Sequence, residues 1–327
     1  MEKIDVLLAS YNGEKYIREQ IDSILNQTYK NIHLIISDDF STDGTIKILK
    51  EYEKKDDRIT VYYQNENLGY VKNFEFLLSK VSSEYYMFSD QDDVWYKDKI
   101  EASYTELKQK DVDLVFCNLE IVDENLNSKN INMFDHLKAR KYLKKYKDYR
   151  LIYMDNIISG CTILTKKSFL KLILPLPSSK YLIFDYWISL VTILNGKFSY
   201  LEKPYIKYRQ HGDNQIGIKK TSTKFKKFDM VRSLFIEVKI QRFTEFVKRS
   251  EVFSEDLRIL NVQALNYYTD LQKKQYINFK NLSTFHKLYK IKGIKLYIAN
   301  FVILNLPLIG KLMFNIRYLV LKVLKRI

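Results

Sequence analysis

Strand-like runs alternate with helical segments over roughly the first 121 residues, and this alternation limits the chain to an α/β fold. The strand-like runs are Ile4 to Ala9, Ile32 to Ile36, Ile59 to Tyr63, Tyr85 to Phe88 and Leu114 to Ile121. Apolar residues at helical spacing separate them, at Glu14 to Asn26, Ser41 to Tyr52, Gly69 to Leu78 and Asp98 to Lys108. Repeated βα units predict a Rossmann-like, mostly parallel sheet with helices on its faces.

The chain continues this pattern less regularly beyond residue 121. Residues 125–150 are polar and rich in Lys and Asn, which predicts a mobile connection with room for a helix. A strand at Ile157 to Thr165, a helix at Phe184 to Leu194 and a strand around Phe198 to Tyr208 follow. From Lys219 onward the pattern is helical and basic.

The formal charge of +15 comes almost wholly from the last third of the chain. Residues 1–218 hold 31 basic and 32 acidic side chains, whereas residues 219–327 hold 23 basic and 7 acidic ones. We therefore expect two parts with these bounds, the second a basic, amphipathic helical region. A nucleic-acid binder is disfavoured, because its charge should lie across the binding domain.

Cysteine usage and the first residues favour the cytoplasm. The two cysteines, Cys117 and Cys161, are far apart in sequence and make neither a disulfide framework nor a metal cluster, which fits a reducing compartment. Residues 1–5 lead straight into a strand-like run, without the apolar core of a signal peptide.

Polar and acidic clusters follow three of the predicted strands. They are Ser10-Tyr11-Asn12-Gly13, Ser37-Asp38-Asp39-Phe40-Ser41 and Ser89-Asp90-Gln91-Asp92-Asp93. Because ligands of such sheets bind outside the carboxyl ends of the strands, the three clusters should line one edge. Carboxylates separated by one residue in the last cluster can share Mg²⁺ or Mn²⁺, completed by diphosphate oxygens. A solvated acidic turn is the alternative, since D-x-D is short and common.

Glycine-rich phosphate loops are missing from the sequence. No G-x-G-x-x-G follows the first strand, and no G-x-x-x-x-G-K-[ST] occurs. A nicotinamide dehydrogenase and a P-loop nucleoside triphosphatase are therefore disfavoured. A nucleotide diphosphate would be bound through a metal ion instead of through glycine-lined backbone amides.

Several segments resemble, in their order and spacing, the motifs of family 2 glycosyltransferases over roughly residues 3–215. They are Val6 to Gly13, Ile36 to Thr45, Asn67-Leu68-Gly69 with Asn73, Ser89 to Trp95 and Ser159-Gly160-Cys161. The resemblance implies a GT-A fold, a nucleotide-sugar donor and an inverting, metal-assisted transfer. More narrowly, Ser89 to Trp95 and Tyr208 to Gly212 resemble bacterial rhamnosyltransferases of capsule, cell-wall and O-antigen assembly, which use dTDP-L-rhamnose. Related enzymes with similar segments use UDP-hexoses.

The resemblance assigns roles to residues that would bind the donor. Tyr11 is expected to pack on the nucleobase, and Asp38 or Asp39 to bind the base imide, with Asp39 preferred. Asp90 should face the ribose and Asp92 should bind the metal. The other residues expected at the nucleotide-sugar site are Ala9, Asn12, Lys72 as a phosphate contact, and Gln91.

Two further motifs supply the remaining candidates. Phe184-Asp185-Tyr186-Trp187 resembles the family's acidic motif beside the acceptor, although Phe184 stands where many members have Glu. Asp185 is our candidate base for the acceptor hydroxyl, and a helix N-cap is the alternative role. After the last predicted strand, Arg209 suits diphosphate recognition and His211 could complete metal or phosphate binding.

The basic tail suggests a membrane partner. Phe225 to Arg249 and Leu296 to Ile327 interleave basic and apolar residues, typical of helices in an anionic membrane interface. A solvated helical bundle or an oligomer contact is the alternative. We expect a peripheral enzyme on the cytoplasmic face that acts on a lipid-linked saccharide. A nucleotidyltransferase and a non-enzymatic membrane-surface module are the competing functions.

Overall fold

The computed structural model describes residues 2–153, 156–179, 182–212, 228–273, 283–284 and 287–288. The described residues form nine strands: β1 Ile4–Ser10, β2 Ile32–Asp38, β3 Ile59–Tyr63, β4 Tyr85–Ser89, β5 Val94–Trp95, β6 Leu114–Val122, β7 Ser128–Asn132, β8 Ile163–Lys166 and β9 Phe198–Arg209. They also form ten α-helices: α1 Ile17–Leu25, α2 Thr45–Lys55, α3 Tyr70–Ser79, α4 Lys99–Gln109, α5 Met133–His136, α6 Arg140–Lys145, α7 Leu170–Ile173, α8 Phe184–Asn195, α9 Phe228–Lys248 and α10 Glu255–Gln272.

The strands belong to one mixed sheet, which confirms the expected α/β class. Its order is β3-β2-β1-β4-β8-β6-β9-β5, and β7 pairs with β6. Strands β1 to β4 pair in parallel, as do β6 and β9. Strand β8 runs antiparallel to both of its neighbours, and β5 and β7 also pair antiparallel. The parallel half matches the βα repeats, whereas hydrophobic periodicity carries no information on strand direction in the second half.

Strand β1 lies at the centre of the core. Its residues Ile4, Val6, Leu7 and Leu8 are fully buried, so both faces of the sheet are covered here. Helix α1 places Ile17, Ile21 and Ile24 on its buried side, following the helical period of the sequence. Burial on both faces fixes the register of β1, since a one-residue slip would exchange the two faces.

The connecting segment expected at residues 125–150, with room for a helix, contains the helices α5 and α6 and also the strand β7, which was not expected. Asn132 caps α5 by accepting from Asp135 N at 3.0 Å. Asn118 Nδ2 donates to Asn132 Oδ1 at 3.0 Å, and Phe134 N donates to Asn118 Oδ1 at 3.1 Å. The asparagines that made the segment look like a loop thus bond β7 and α5 to β6, while Phe134 is buried.

The described residues fall into two compact units, one within residues 1–178 and 183–218, the other within 179–182 and 219–327. In the second unit, the Phe243 and Tyr268 rings stack with centroids 5.8 Å apart and join α9 to α10. No helix in the described part of the chain is both long and apolar enough to cross a membrane. The apolar segment predicted at Leu296 to Ile327 lies outside the described residues.

Asp5 secures the amino-terminal end of β1. Its buried carboxylate accepts from Ser82 N at 2.7 Å, from Ser83 N at 2.8 Å and from Ser83 Oγ at 2.6 Å. His33 Nδ1 lies 3.5 Å from Asp5 Oδ1. Burial alone would raise the pKa of Asp5, but the bonds from His33 and the two serines lower this pKa well below its ordinary value. The ionised carboxylate therefore stabilises the fold.

We expect Asp5→Asn to lower the free energy of unfolding by about 1–3 kcal/mol at neutral pH, because the buried donors lose an ionised acceptor. A depressed folded pKa gives stability above the unfolded pKa of about 4, and this stability is lost as the pH falls. The difference in the free energy of unfolding between the wild-type protein and Asp5→Asn, measured with urea, should therefore become smaller from about pH 5 to about pH 2.

Asp57→Asn, which changes an exposed aspartate, is the matched control and should alter the free energy of unfolding by less than about 0.5 kcal/mol. Equal losses in the two variants, or an Asp5→Asn gap that stays constant with pH, would contradict the role given to the ionised Asp5.

Candidate active site

Hydrogen bonds tie the loop after β1 to the loop after β2. Ser10 stands opposite Asp38 in the sheet, and Ser10 Oγ donates to Asp38 Oδ1 at 3.0 Å. Asp39 N donates to Ser10 O at 2.8 Å. On the other side of β1, Leu8 pairs with Ser89, so the loop after β4 reaches the same edge. The three polar clusters predicted to share one edge of the sheet are adjacent.

Asp38 and Asp39 both organise these loops. The fully buried Asp38 accepts from Ser41 N at 2.9 Å and from Ser41 Oγ at 2.6 Å. Asp39 accepts from the backbone N–H groups of Leu68 and Gly69 at 2.7 and 2.9 Å. Gly69 has a φ of 79°, which glycine adopts at no steric cost. Both carboxylates thus bond to the protein's own backbone, and a nucleobase contact stays a prediction.

Tyr11 is exposed in the loop after β1, with 40% of its surface accessible. Its backbone is clamped by the side chain of Gln91: Tyr11 N donates to Gln91 Oε1 at 2.8 Å, and Gln91 Nε2 donates to Tyr11 O at 3.0 Å. Asn12 N donates to Ser41 Oγ at 2.8 Å. Ala9 is partly exposed near the end of β1. These four predicted residues therefore lie at one edge, with the Tyr11 ring accessible.

Asp92 and His211 meet across 119 positions of sequence, as the metal prediction requires. His211 Nε2 lies 2.8 Å from Asp92 Oδ2, and both side chains keep a small accessible area. The two atoms are hydrogen-bonded to each other, and their spacing also suits two adjacent metal ligands, which at about 2.1 Å and a right angle would be about 3 Å apart. A carboxylate oxygen with an imidazole nitrogen suits Mn²⁺ better than Mg²⁺, which prefers oxygen.

The His211 ring is held in place from behind. The Tyr16 ring lies against it with centroids 4.7 Å apart, and the Arg209 guanidinium stands 4.5 Å from the Tyr16 centroid. Arg209 is almost fully buried: its Nε donates to Asp92 O at 2.7 Å, and its Nη2 pairs with Glu19. Arg209 therefore supports the Asp92 loop in this structure, and its contact with a diphosphate stays a prediction.

A second acidic group lies beneath Asp92. Ligand-type atoms of Asp90, Asp93 and Cys161 lie within 4.8 Å of one another. Burial, followed by the charge of Asp92, raises the pKa of Asp90 to about 7 and raises the pKa of Asp93 well above its ordinary value. The buried ammonium of Lys99 is the nearby opposite charge. The Lys99 ammonium thus already supplies a positive charge next to Asp90 and Asp93. The side of the loop that carries Asp92 is therefore the better candidate metal site.

Asp185 lies in the first turn of α8, whereas the N-cap residue is Ile183. Its carboxylate accepts from Tyr186 N at 2.6 Å, from Gly160 N at 3.1 Å and from Asn156 Nδ2 at 3.1 Å. Burial raises the pKa of Asp185 to about 6, against the lowering effect of these bonds. A carboxylate that is oriented by several donors and titrates near neutrality has the properties of a general base.

Lys72 is the predicted residue that the structure leaves apart from the others. It lies on α3, is largely exposed, and its Nζ pairs with Glu75 Oε1 at 2.7 Å. An exposed lysine on a flexible stem is free to reorient, so its predicted phosphate contact is neither supported nor opposed by this ion pair.

Sequence reasoning missed Asp93, Lys99, Asn156 and Gly160. Asp93 and Gly160 lie inside motifs that were already noted, so adjacency to candidate residues was the available signal. Lys99 and Asn156 carry no local signal. A lysine that begins a helix and an asparagine in a loop are ordinarily solvated, and only the tertiary contacts give them a role.

Sequence comparison adds independent findings. A sequence model described as "Glycosyl transferase family 2" matches residues 5–173. The chain is also 31% identical over 317 residues to the dTDP-rhamnosyl transferase RfbG of Shigella flexneri. That alignment covers 91% of this chain and 100% of the relative. The similarity thus extends well beyond the matched domain, into the basic C-terminal region.

Solved structures share the fold. TarS residues 1–349 of S. aureus, in complex with UDP-GlcNAc, superpose with a TM-score of 0.57 at 18% identity, covering 89% of this chain and 82% of that one. The mannosyltransferase PcManGT of Pyrobaculum calidifontis, in complex with GDP-Man and Mn²⁺, gives 0.52 at 16% identity, with 96% and 86% covered. At these identities the similarity concerns the fold, and it confirms the GT-A architecture expected from the sequence.

Proposed function

Because the chain belongs to glycosyltransferase family 2, we propose that it transfers L-rhamnose from dTDP-L-rhamnose to a lipid-linked saccharide, with inversion at the sugar C1. The observation that carries the transfer is the Asp185 carboxylate, half-buried in the first turn of α8 and oriented by three donors. The end-to-end similarity to a dTDP-rhamnosyl transferase supports the donor.

Asp185 is the base in this proposal. Its carboxylate accepts the proton of an acceptor hydroxyl as that oxygen forms a bond to the sugar C1. The bond between C1 and the diphosphate oxygen breaks on the opposite face, which inverts the configuration. Asn156 and the amides of Gly160 and Tyr186 orient the carboxylate, leaving its remaining lone pairs for the acceptor.

The donor occupies the edge formed by the three loops. Tyr11 offers an accessible ring to the base, and Asp39 accepts from the imide N–H, which suits thymine or uracil better than adenine. Asp90 faces the ribose. Ala9, Asn12 and Gln91 complete this edge, and Lys72 reaches toward the phosphates.

Asp92 and His211 would hold a divalent cation, Mn²⁺ in preference to Mg²⁺. When bound, the cation would offset the charge that develops on the leaving nucleoside diphosphate. Tyr16 and Arg209 keep the two ligands together by packing on His211 and bonding to the Asp92 carbonyl. A UDP-hexose donor is the alternative within the same class.

Nucleoside diphosphates test this proposal directly. With Mn²⁺, dTDP should raise the melting temperature of the full chain by about 5 °C at saturating concentration, UDP by no more than dTDP, and GDP by about 1 °C or less. Turnover of dTDP-L-rhamnose should then exceed that of UDP-hexoses. Stronger stabilisation by triphosphates would favour a nucleotidyltransferase and contradict the proposal.

Asp92→Asn should remove the Mn²⁺-dependent part of that stabilisation, because the pair of proposed ligands loses its negative charge. Asp98→Asn is the matched control, since Asp98 is an exposed acid that pairs with Lys203 at 3.0 Å. If both variants respond to Mn²⁺ like the wild-type protein, Asp92 is not a metal ligand.

The activity should fall on the acid side of an apparent pKa of about 6 in the pH profile of kcat/KM, because protonated Asp185 cannot act as a base. Asp185→Asn should lower kcat by at least about 1000-fold while the melting temperature changes by only a few degrees. Turnover near the wild-type value in Asp185→Asn would contradict the assignment of the base.

We also place the enzyme on the cytoplasmic face of an anionic membrane, supported by the net charge of +16 over residues 219–327. The full chain should sediment with anionic vesicles at low salt and should be released from them by about 0.5 M salt. It should not sediment with neutral vesicles. Equal binding to neutral vesicles would point to apolar insertion instead, and no binding to either would remove the membrane from the proposal.

A further inference from the structure

Lys99 is a fully buried lysine at the first position of α4. Its Nζ donates to the carbonyl of Cys161 at 2.8 Å and lies 2.9 Å from the centroid of the Trp95 ring. A lysine is almost never fully buried without a partner, because removing the ammonium from water is costly. This position is therefore specified by the contacts of the ammonium, and Lys99 has no place yet in the proposed reaction.

The two partners of Lys99 belong to opposite sides of the site. Trp95 lies in β5, directly after the loop that carries Asp90 and Asp92. Cys161 lies in a single 3₁₀ turn, Gly160–Thr162, that immediately precedes β8. The ammonium therefore connects the acidic loop to this turn by one cation–π contact and one charge-assisted hydrogen bond.

The same turn holds the base. Gly160 N donates to Asp185 Oδ2 at 3.1 Å. A Cβ at position 160 would lie 3.2 Å from Phe184 Cζ and 3.3 Å from Asp185 Cβ, so an alanine here would need a small shift of the turn or of α8. Cys161 follows Gly160 directly, and a shift of its carbonyl would therefore move the amide that bonds to Asp185.

We propose that Lys99 is a positioning residue, whose ammonium, through the Cys161 carbonyl, keeps the Gly160 amide on the Asp185 carboxylate. This inference rests on the proposed transferase function for its kinetic consequence. The contacts that run from Lys99 through Cys161 and Gly160 to Asp185, here called the tether, are independent of any substrate. In the competing explanation, Lys99 acts only through its positive charge, which compensates the nearby acids Asp90 and Asp93. The titratable groups facing Lys99 are Asp90, Asp93, Cys117 and Cys161, and those facing Asp185 include Asp90 and Tyr70.

Lys99→Met should shift the acid limb of the kcat/KM profile to higher pH by about one unit, because Asp185 loses a hydrogen bond that favours its ionised form. At about pH 6, kcat/KM should therefore fall roughly fivefold more than it does at the pH optimum. Lys108→Met is the matched control, since Lys108 lies on the same helix with its side chain half exposed, and its profile should match the wild-type one.

Gly160→Ala separates the tether from the counter-charge. It displaces the amide and leaves the charge of Lys99 in place, so it should reproduce the acid-limb shift of Lys99→Met. If Lys99→Met shifts the limb and Gly160→Ala does not, Lys99 acts through its charge alone and the proposal is wrong. Wild-type profiles in both variants would overturn it as well.

Hydrogen exchange measured by mass spectrometry gives a readout without substrate. Without donor or acceptor, Lys99→Met should accelerate exchange in the segment 156–163 at least about tenfold, whereas Lys108→Met should leave it unchanged. Unchanged exchange in Lys99→Met overturns the tether. If the wild-type protein transfers no sugar, the proposed function fails while this measurement still decides the tether.

Lys99→Gln is a second variant for the case that Lys99→Met does not fold. Its amide is uncharged and can still donate a hydrogen bond in the buried site. It should fold and give an exchange rate between those of the wild-type protein and Lys99→Met. If neither Lys99→Met nor Lys99→Gln folds, the ammonium is required for folding itself, and its assignment as a positioning residue is overturned.

Discussion

The parallel alignment of β1, β2 and β4 is the constraint on which the rest of the site depends. Strands that run together also end together, so the residues after them are forced into one small region. In this chain those residues include five aspartates, Asp38, Asp39, Asp90, Asp92 and Asp93. Two unit charges 4 Å apart repel by about 4 kcal/mol at an effective dielectric constant of 20, so each carboxylate needs its own compensation.

The groups that stabilise the negative charge differ from one aspartate to the next. Asp38 and Asp39 are surrounded by hydroxyl and amide donors from the adjoining loops. Asp92 faces His211, and its backbone is held by Arg209. The oxygens of Asp38 and Asp39 are thereby oriented by the loops, whereas the Asp92 side chain keeps a small accessible area beside His211.

Most of the fold and the grouping of most candidate site residues could be predicted, for different physical reasons. Helical and strand periods place β1 through α4 to within a few residues, because each of these elements buries one clear face. The meeting of Asp92 with His211 followed from motif order, since spacing alone cannot relate residues 119 positions apart. Asn132 was misread because the same amide that favours a loop also caps a helix. Lys99 gave no signal, because burial of a lysine depends on a pocket assembled from distant segments.

Ionisation of Asp93 carries a further free-energy cost in this site. Its Oδ1 accepts from Arg209 N at 3.1 Å, while its Oδ2 is buried and lacks a hydrogen-bond partner among the described residues. An ionised carboxylate with an unpaired buried oxygen is strongly disfavoured, and burial accordingly raises the pKa of Asp93. Environments that separate the pKa values of neighbouring acids divide their roles. Burial thus disfavours the ionised forms of Asp90 and Asp93, whereas Asp92 is the acid of this loop that lies beside His211 and keeps some accessible surface.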